Sequence, residues 1–222
     1  MTEMRTIQVT GKGKISVKPD RMRLQITLEG VFKEYGETLR HSSEDTKKIS
    51  DLISEFGFKT EDLKTCAFHV DTEYESYEEE GVYKQRLTGY RFRHALKLEF
   101  DLDNERLGKL LFALGQSDLK PELRISYTVK DQEAAKNALL GEAVKDAKEK
   151  AEVLTRAAGV SLKEIQNINY SWGEVDLEVR PMPAMLASGM TRASKIMGSY
   201  DLNIQPEDIE VEDTVTVVWE IS

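Results

Sequence analysis

Ile7-Gln8-Val9-Thr10-Gly11-Lys12-Gly13-Lys14-Ile15-Ser16-Val17, then Lys18-Pro19-Asp20, then Arg21-Met22-Arg23-Leu24-Gln25-Ile26-Thr27-Leu28: the reading of this stretch decides the fold class. Ile7, Val9, Ile15 and Val17 alternate with Gln8, Thr10, Lys14 and Ser16. After Pro19-Asp20 the alternation resumes on the other parity, with Met22, Leu24, Ile26 and Leu28. Period-two patterning on both sides of a Pro-Asp corner predicts two antiparallel strands, each with one buried and one wet face. Proline presets φ at the corner, and aspartate can bond its own backbone there. Gly11 and Gly13 interrupt the first strand and predict a bulge or bend.

Working outward, Leu39, Ile49, Leu52, Ile53 and Phe56 recur at helical spacing and predict a helix over 37–56, with Gly57 as its C′ residue. Phe68, Val70, Thr72 and Tyr74 alternate as a strand. Glu78-Glu79-Glu80-Gly81 reads as an exposed hairpin tip, and Tyr90, Phe92, Leu96, Leu98 and Phe100 form a long return strand. A short helix follows, capped by Asp103 or Asn104, striped by Leu107, Leu110, Leu111 and Leu114 and ended by Gly115. Leu123, Ile125, Tyr127 and Val129 form another strand.

The longest helix is predicted over 132–158, with Asp131 as cap and Gly159 as stop. Its apolar arc (Leu139, Leu140, Ala143, Val144, Ala147, Ala151, Leu154, Ala158) is rich in alanine, which lets a helix backbone approach a sheet closely. Gly141 costs about 1 kcal/mol in such a helix, so a close neighbour is expected there. Ile165 to Trp172 reads as a strand. Gly173 to Gln205 loses periodicity and holds Pro181, Pro183 and the four methionines Met182, Met185, Met190 and Met197. The chain ends in a strand of Val215, Val217, Trp219 and Ile221, of the kind normally paired inside a sheet.

Tight hairpins mixed with helical crossovers predict an α+β protein, mostly antiparallel sheet packed with helices, in two lobes. Residues 1–81 plus 200–222 form the first lobe in this reading. Residues 82–172 form the second, in β-α-β-α-β order, and 173–199 are the irregular Met/Pro segment.

A 222-residue chain with 40% hydrophobic and 32% charged residues has the composition of a soluble globular protein with a core. The net charge of −9 argues against a nucleic-acid partner, which needs a basic surface. Cys66 is the only cysteine, which rules out an intrachain disulfide and a cysteine zinc cluster. No run of about eighteen apolar residues occurs, so no transmembrane segment is expected. Met1 to Arg5 carry no apolar h-region, so the reading is a cytoplasmic protein, or a periplasmic or exported one whose leader has been removed.

Signals for chemistry are sparse. His41, His69 and His94 do not share metal-ligand spacing, and His94 falls on the apolar parity of its strand, as a hydrogen-bonded core histidine does. Cys66 has no signature around it and reads as a buried small hydrophobe. Gly11-Lys12-Gly13-Lys14 lacks Walker spacing and a following helix, so it reads as bent strand with solvated lysines. No serine sits in a nucleophile elbow. Glu73, Glu75, Glu78, Glu79 and Glu80 lack the pattern of a calcium loop and read as a solvated tip, as do Asp176 and Glu178. The sequence therefore predicts no catalytic residues, no metal and no cofactor. The Met/Pro segment either meets a partner or plugs the chain's own core. Its length makes Met182, Met185, Met190 and Met197 the candidate assembly segment.

Several ordered stretches resemble the SIMPL-domain, YggE-like family. They are Val9-Thr10-Gly11-Lys12-Gly13 with Val17-Lys18-Pro19-Asp20, then Gly57-Phe58 and Thr60-Glu61-Asp62-Leu63-Lys64-Thr65, then Gly89-Tyr90. Ala143-Val144, Asp146-Ala147, Lys150-Ala151, Ala157-Ala158-Gly159-Val160, Ile204-Gln205-Pro206 and Val215-Thr216-Val217 continue the series. Pro206-Glu207-Asp208 departs from the Pro-Gly-Glu common in members. The resemblance implies an α+β fold, frequent export, association with oxidative-stress defence and, in one member, a large ring-like oligomer. It carries over no agreed catalytic residues.

Three readings follow. The first is a non-enzymatic, self-associating protein linked to stress defence, with a homo-oligomer as its partner. The second is a binding module for a small apolar or aromatic ligand, held between the alanine-rich helix and the loop by Tyr74, Tyr90, Phe92, Tyr170 and Trp172. The third is an enzyme whose polar groups come from distant parts of the chain.

Overall fold

The computed structural model describes residues 5–170, 175–180 and 204–222. The fold is α+β, with two antiparallel sheets and, among the described residues, three α-helices. The chain divides into two compact units. Residues 5–20, 128–170, 175–179 and 206–222 build the first, and 21–127 with 180, 204 and 205 build the second.

The first unit holds a three-stranded sheet. β1 (Thr6–Val17) and β6 (Leu162–Tyr170) flank β8 (Ile209–Ile221), and both pair with it antiparallel. The two opening strands, expected to pair with each other, therefore do not. β1 runs against β8 from Thr6↔Glu220 to Val17↔Ile209, while the strand after Asp20 enters the other sheet. Asp20 does not bond its own backbone. Its N–H donates to the Thr128 carbonyl at 3.1 Å, and its carboxylate accepts the Lys130 N–H at 2.7 Å. The register along β1 is unbroken through Gly11 and Gly13, so neither glycine marks a bulge.

The long helix α3 (Gln132–Ala158) lies on this sheet with the predicted ends. Asp131 accepts the Ala134 N–H at 2.8 Å, and Gly159 takes the left-handed conformation at φ 71°. Ala135, Leu139, Ala143, Ala147, Ala151 and Thr155 are buried at strict four-residue spacing. Leu154 and Ala158, expected on that arc, face out. A Cβ placed on Gly11 would fall on the Ala143 carbonyl oxygen and the Ala147 nitrogen, and one on Gly13 would meet the Leu139 carbonyl oxygen. The glycines of β1 thus provide the space for the helix backbone. Gly141 has nothing within 4 Å of such a Cβ, so no close neighbour accounts for it. Val9, Val215, Val217 and Trp219 pack with Ala143, Ala147 and Ala151. Val129, Leu139, Leu177, Ile209 and Val211 extend the core. The two-residue strand β7 (Glu178–Val179) follows Leu177, whose carbonyl accepts the Thr128 hydroxyl at 2.7 Å.

In the second unit the strands lie in the order β3 (Leu63–Glu79), β4 (Val82–Asp101), β2 (Arg21–Phe32), β5 (Glu122–Thr128). Met22, Leu24, Ile26 and Leu28 pair along β2 with Phe100, Leu98, Leu96 and His94 of β4, and their apolar face is buried. Ile49 and Ile53 of α1 (Tyr35–Ser54) and Leu107, Leu110 and Leu114 of α2 (Asn104–Gln116) are fully buried. Asp103 caps α2 by accepting the Arg106 N–H at 2.9 Å. The α2 helix runs through Gly115 and stops where the Ser117 hydroxyl donates to the Leu114 carbonyl. Gly57 takes φ 77° after α1, and the Arg106 guanidinium donates to the Phe56 carbonyl there.

β3 and β4 meet at a two-residue turn in which Glu80 (φ 54°) and Gly81 (φ 77°) both have positive φ, as a type I′ hairpin requires. The boundary expected between residues 81 and 82 falls at this tip. The β2 pairing of β4 ends at Phe32↔Tyr90, whereas the β3 pairing continues to Glu79↔Val82. Among the described residues, 74–79 and 82–87 thus form a two-stranded arm beyond the sheet. The arm departs at a register shift after Glu73↔Gly89, where Thr88 is the extra residue and its hydroxyl bonds the Glu73 carbonyl. A Cβ on Gly89 would fall on the Phe32 carbonyl oxygen, so the crossing needs glycine.

Candidate functional site

Three places could carry function: the His94 cluster, the outer face of the second sheet, and the uncovered apolar surfaces. His94 on β4 meets α1 on one side and β3 on the other. Its Nδ1 lies 3.0 Å from Thr46 Oγ1 and 3.3 Å from Ser42 Oγ, and its Nε2 lies 2.9 Å from Thr65 Oγ1. Thr46 already donates its one proton to the Ser42 carbonyl at 2.8 Å, so its oxygen can only accept. This assigns the proton to Nδ1, which donates to Thr46, and leaves Nε2 to accept from Thr65. Phe68 meets the ring edge-on at 5.0 Å. Burial pushes the His94 pKa below its ordinary value. Among the described residues its hydrogen-bond partners are hydroxyls, so an imidazolium would have no counter-charge there. The cluster fastens α1 and β3 to β4. His94 is thus the hydrogen-bonded histidine its parity suggested. Ser42 and Thr46, polar residues at i, i+4 on the inward face of α1, were the signal for its partners.

Cys66 is exposed, against expectation. The register shifts between Thr65 and Ala67, which makes Cys66 the extra residue of a bulge and turns it out of the core. His41 stacks on Phe32 at 4.0 Å, and His69 is exposed.

The wet face of the second sheet is an alternating chain of charges. Glu73 binds Arg91 at 2.7 Å, Arg91 reaches Glu29 at 4.0 Å, Glu29 binds Arg93 at 3.1 Å, Arg93 binds Glu122 at 3.2 Å, and Glu122 binds Arg124 at 2.8 Å. Arg91 holds the Glu73 carboxyl below its ordinary pKa. Glu75 and Glu79 of the acidic run pair with Arg86 and Lys84, so three of its five carboxylates already have cations. Among the described residues no three acidic, histidine or cysteine side chains are placed to hold a metal ion.

In the first unit, the two edges of the sheet differ. The Lys12 N–H of β1 donates to Asp146 of α3 at 2.7 Å, and Lys150 pairs with Asp146 and reaches the Thr10 carbonyl at 3.5 Å. Both side chains guard that edge. Lys12 and Lys14 pair with Glu212 and Glu210, so the lysines of the GKGK run are ion-paired on the wet face.

β6 is unlike β1. Leu162, Ile165, Ile168 and Tyr170 stand opposite Ile221, Trp219, Val217 and Val215. Directly opposed residues share a face, so all four lie on the side of the sheet that α3 covers. Two register shifts, between 162 and 165 and between 165 and 167, keep residues three apart on one face. Leu162 packs on the core, but Ile165 and Ile168 remain 50% and 45% exposed.

Of the aromatic set expected to hold a ligand, Phe92 is fully buried and stacks on Phe32, and Tyr90 meets Tyr35 edge-on at 5.5 Å. Tyr74 is exposed on the arm, and Tyr170 is on β6. Trp172 and the candidate assembly residues Met182, Met185, Met190 and Met197 lie outside the described residues. The buried face of α3 is occupied by β1 and β8. No helix among the described residues is long and apolar enough to cross a membrane.

The SIMPL family model, described as a protein of unknown function (DUF541), matches residues 7–219. The chain belongs to the SIMPL family. It is 26% identical over 193 residues to the 26 kDa periplasmic immunogenic protein of Brucella melitensis biotype 1, covering 86% of this chain and 74% of that protein. The protein of the same name from Brucella abortus (strain S19) matches equally. The uncharacterized protein YggE of Edwardsiella ictaluri is 22% identical over 219 residues, covering 97% of this chain and 87% of that one.

Proposed function

We propose that this SIMPL-family chain is a non-enzymatic protein that works by associating with copies of itself. The observation that supports the reading is the β6 edge. Ile165 and Ile168 stand exposed on the core side of a sheet whose opposite edge is closed by Asp146 and Lys150. Residues 165–170 (Ile-Gln-Asn-Ile-Asn-Tyr) carry no charge, in a chain whose net charge is −9. Like-charged copies approach most easily through a neutral strip, and beyond Lys163 and Glu164 the β6 edge lacks the lysines that normally block pairing. The hydroxyl partners of His94 suit a packing role. Met182, Met185, Met190 and Met197 are the second contributor to assembly in this reading. Periplasmic location, as in the Brucella proteins' name, and a link to oxidative-stress defence belong to the same proposal.

Light scattering of the wild-type chain at about 50 µM is expected to give a multiple of the monomer mass. Ile165→Lys/Ile168→Lys is expected to lower it, and so is removal of residues 181–198. A wild-type monomer refutes self-association. A lowered mass in only one of the two variants identifies which element carries it.

A further inference from the structure

We propose that the β3–β4 arm is a second association surface, on which two copies stack arm against arm. Beyond Tyr90 the two strands have only each other among the described residues. A lone two-stranded ribbon is marginal in water and gains stability when one face is covered. The cross-strand pairs show which face. Tyr74↔Leu87, Ser76↔Gln85 and Glu78↔Tyr83 lie on one side, and Glu75↔Arg86, Tyr77↔Lys84 and Glu79↔Val82 on the other. The second side is largely paired within itself: Glu75 binds Arg86, Glu79 binds Lys84, and Arg86 lies over the Tyr77 ring at 5.5 Å, which leaves Val82 at the tip as its exposed apolar residue. The first side has one charged residue, Glu78, and leaves Tyr74, Leu87 and Tyr83 exposed, the last by 80%.

The order of residues on that face selects the occupant. Apolar groups stand at its base (Tyr74, Leu87) and at its tip (Tyr83), with Ser76 and Gln85 between. An antiparallel stack about a two-fold axis at Ser76/Gln85 sets Tyr83 of each copy on Tyr74 and Leu87 of the other. Base and tip pairs are four residues apart, about 13 Å along the strand. The two Glu78 carboxylates are then separated by more than the screening length of about 8 Å. The face of a second copy therefore sets apolar tip on apolar base and keeps the two like charges apart. With the β6 edge, the chain would have two distinct isologous surfaces, which together build assemblies larger than a dimer.

The inference rests on the self-association proposed above, and thiol cross-linking separates the two. In a Cys66→Ser background, Gln85→Cys sets the thiols of the two copies opposite each other across the two-fold axis. Stacked sheet faces lie about 10 Å apart, too far for a disulfide between unmoved backbones but within the span of a short bis-maleimide. Tyr83→Cys offsets its two thiols along the strand by a further distance of about 13 Å, roughly four residues, beyond that span. Lys84→Cys faces the other way. A short bis-maleimide is expected to link Gln85→Cys into dimers at least tenfold faster than either of the others. Tyr83→Ser/Leu87→Ser, with unchanged circular dichroism, is expected to lower the mass of the wild-type assembly. A wild-type assembly in which Gln85→Cys links no faster than Lys84→Cys overturns arm stacking and leaves self-association intact. A lowered mass in Tyr83→Ser/Leu87→Ser without that linking puts the arm on a different surface and also overturns the stack. A monomeric wild type overturns both.

Discussion

The same substitution, glycine to alanine, is expected to act with opposite signs at two positions of the first unit. At Gly11 a methyl group would strike the Ala143 carbonyl oxygen and the Ala147 nitrogen and sit 2.7 Å from the Ala147 Cβ. Alanine in a strand interior is worth about 0.5–1 kcal/mol over glycine. Forcing a methyl into a filled site costs roughly 1–3 kcal/mol, and the upper end applies where the atoms struck are backbone that cannot rotate away. Gly11→Ala should therefore destabilise by about 2 kcal/mol. At Gly141 an added Cβ would meet no described atom within 4 Å beyond its own stretch of helix, and the residue is exposed in mid-helix, so Gly141→Ala should gain about 1 kcal/mol from helix propensity alone. For a chain of this length each kcal/mol moves Tm by about 2–4 °C, so the two variants should differ by roughly 6–12 °C. Thermal and urea unfolding followed by circular dichroism would measure this. Ala147→Gly removes only one of the three atoms struck and should not rescue Gly11→Ala. A Gly11→Ala midpoint at or above wild type would refute the close approach of α3 to β1.

Two further outcomes are expected. Burial lowers the pKa of His94 in the folded protein. Above its unfolded pKa of about 6.5 it contributes nothing to pH dependence; below it the unfolded chain takes up the proton first, and stability falls until the folded form is also protonated. His94→Asn should flatten the loss of urea midpoint between pH 7 and 5 relative to wild type, and an unchanged slope would exclude His94 as its source. Asp131→Ala should cost about 1 kcal/mol by leaving the Ala134 N–H without its cap, read as a lowered urea midpoint.

Much of the architecture was legible because it is local. Asp131 and Gly159 bracket α3 as read from the sequence, since capping chemistry is written in the residues themselves. Period-two alternation placed β1 and β2 correctly but could not say what each pairs with. The partner of β1 lies some 200 residues away, and Pro19-Asp20 links two sheets as naturally as it turns a hairpin. A glycine states that a side chain is missing without saying why: Gly11 gives room to a helix, whereas Gly141 faces open space. The shared face of Leu162, Ile165 and Ile168 was hidden by the bulges, which convert period two into period three. Of the candidate surfaces, the exposed tip at Glu78–Gly81 was visible. The arm was not, because its extent depends on where β2 stops pairing with β4.

The two edges of the first sheet are linked through one helix. Gly11 and Gly13 draw α3 onto β1 until its backbone touches the strand, and Ala143, Ala147 and Ala151 keep it there. That position brings Asp146 and Lys150 within reach of the β1 edge and closes it. Among the described residues the same helix covers β6 less, and the inward-facing Ile165 and Ile168 of that strand remain about half exposed. The glycines of the opening strand thus favour the guarded β1 edge, while Ile165 and Ile168 on β6 stay about half exposed.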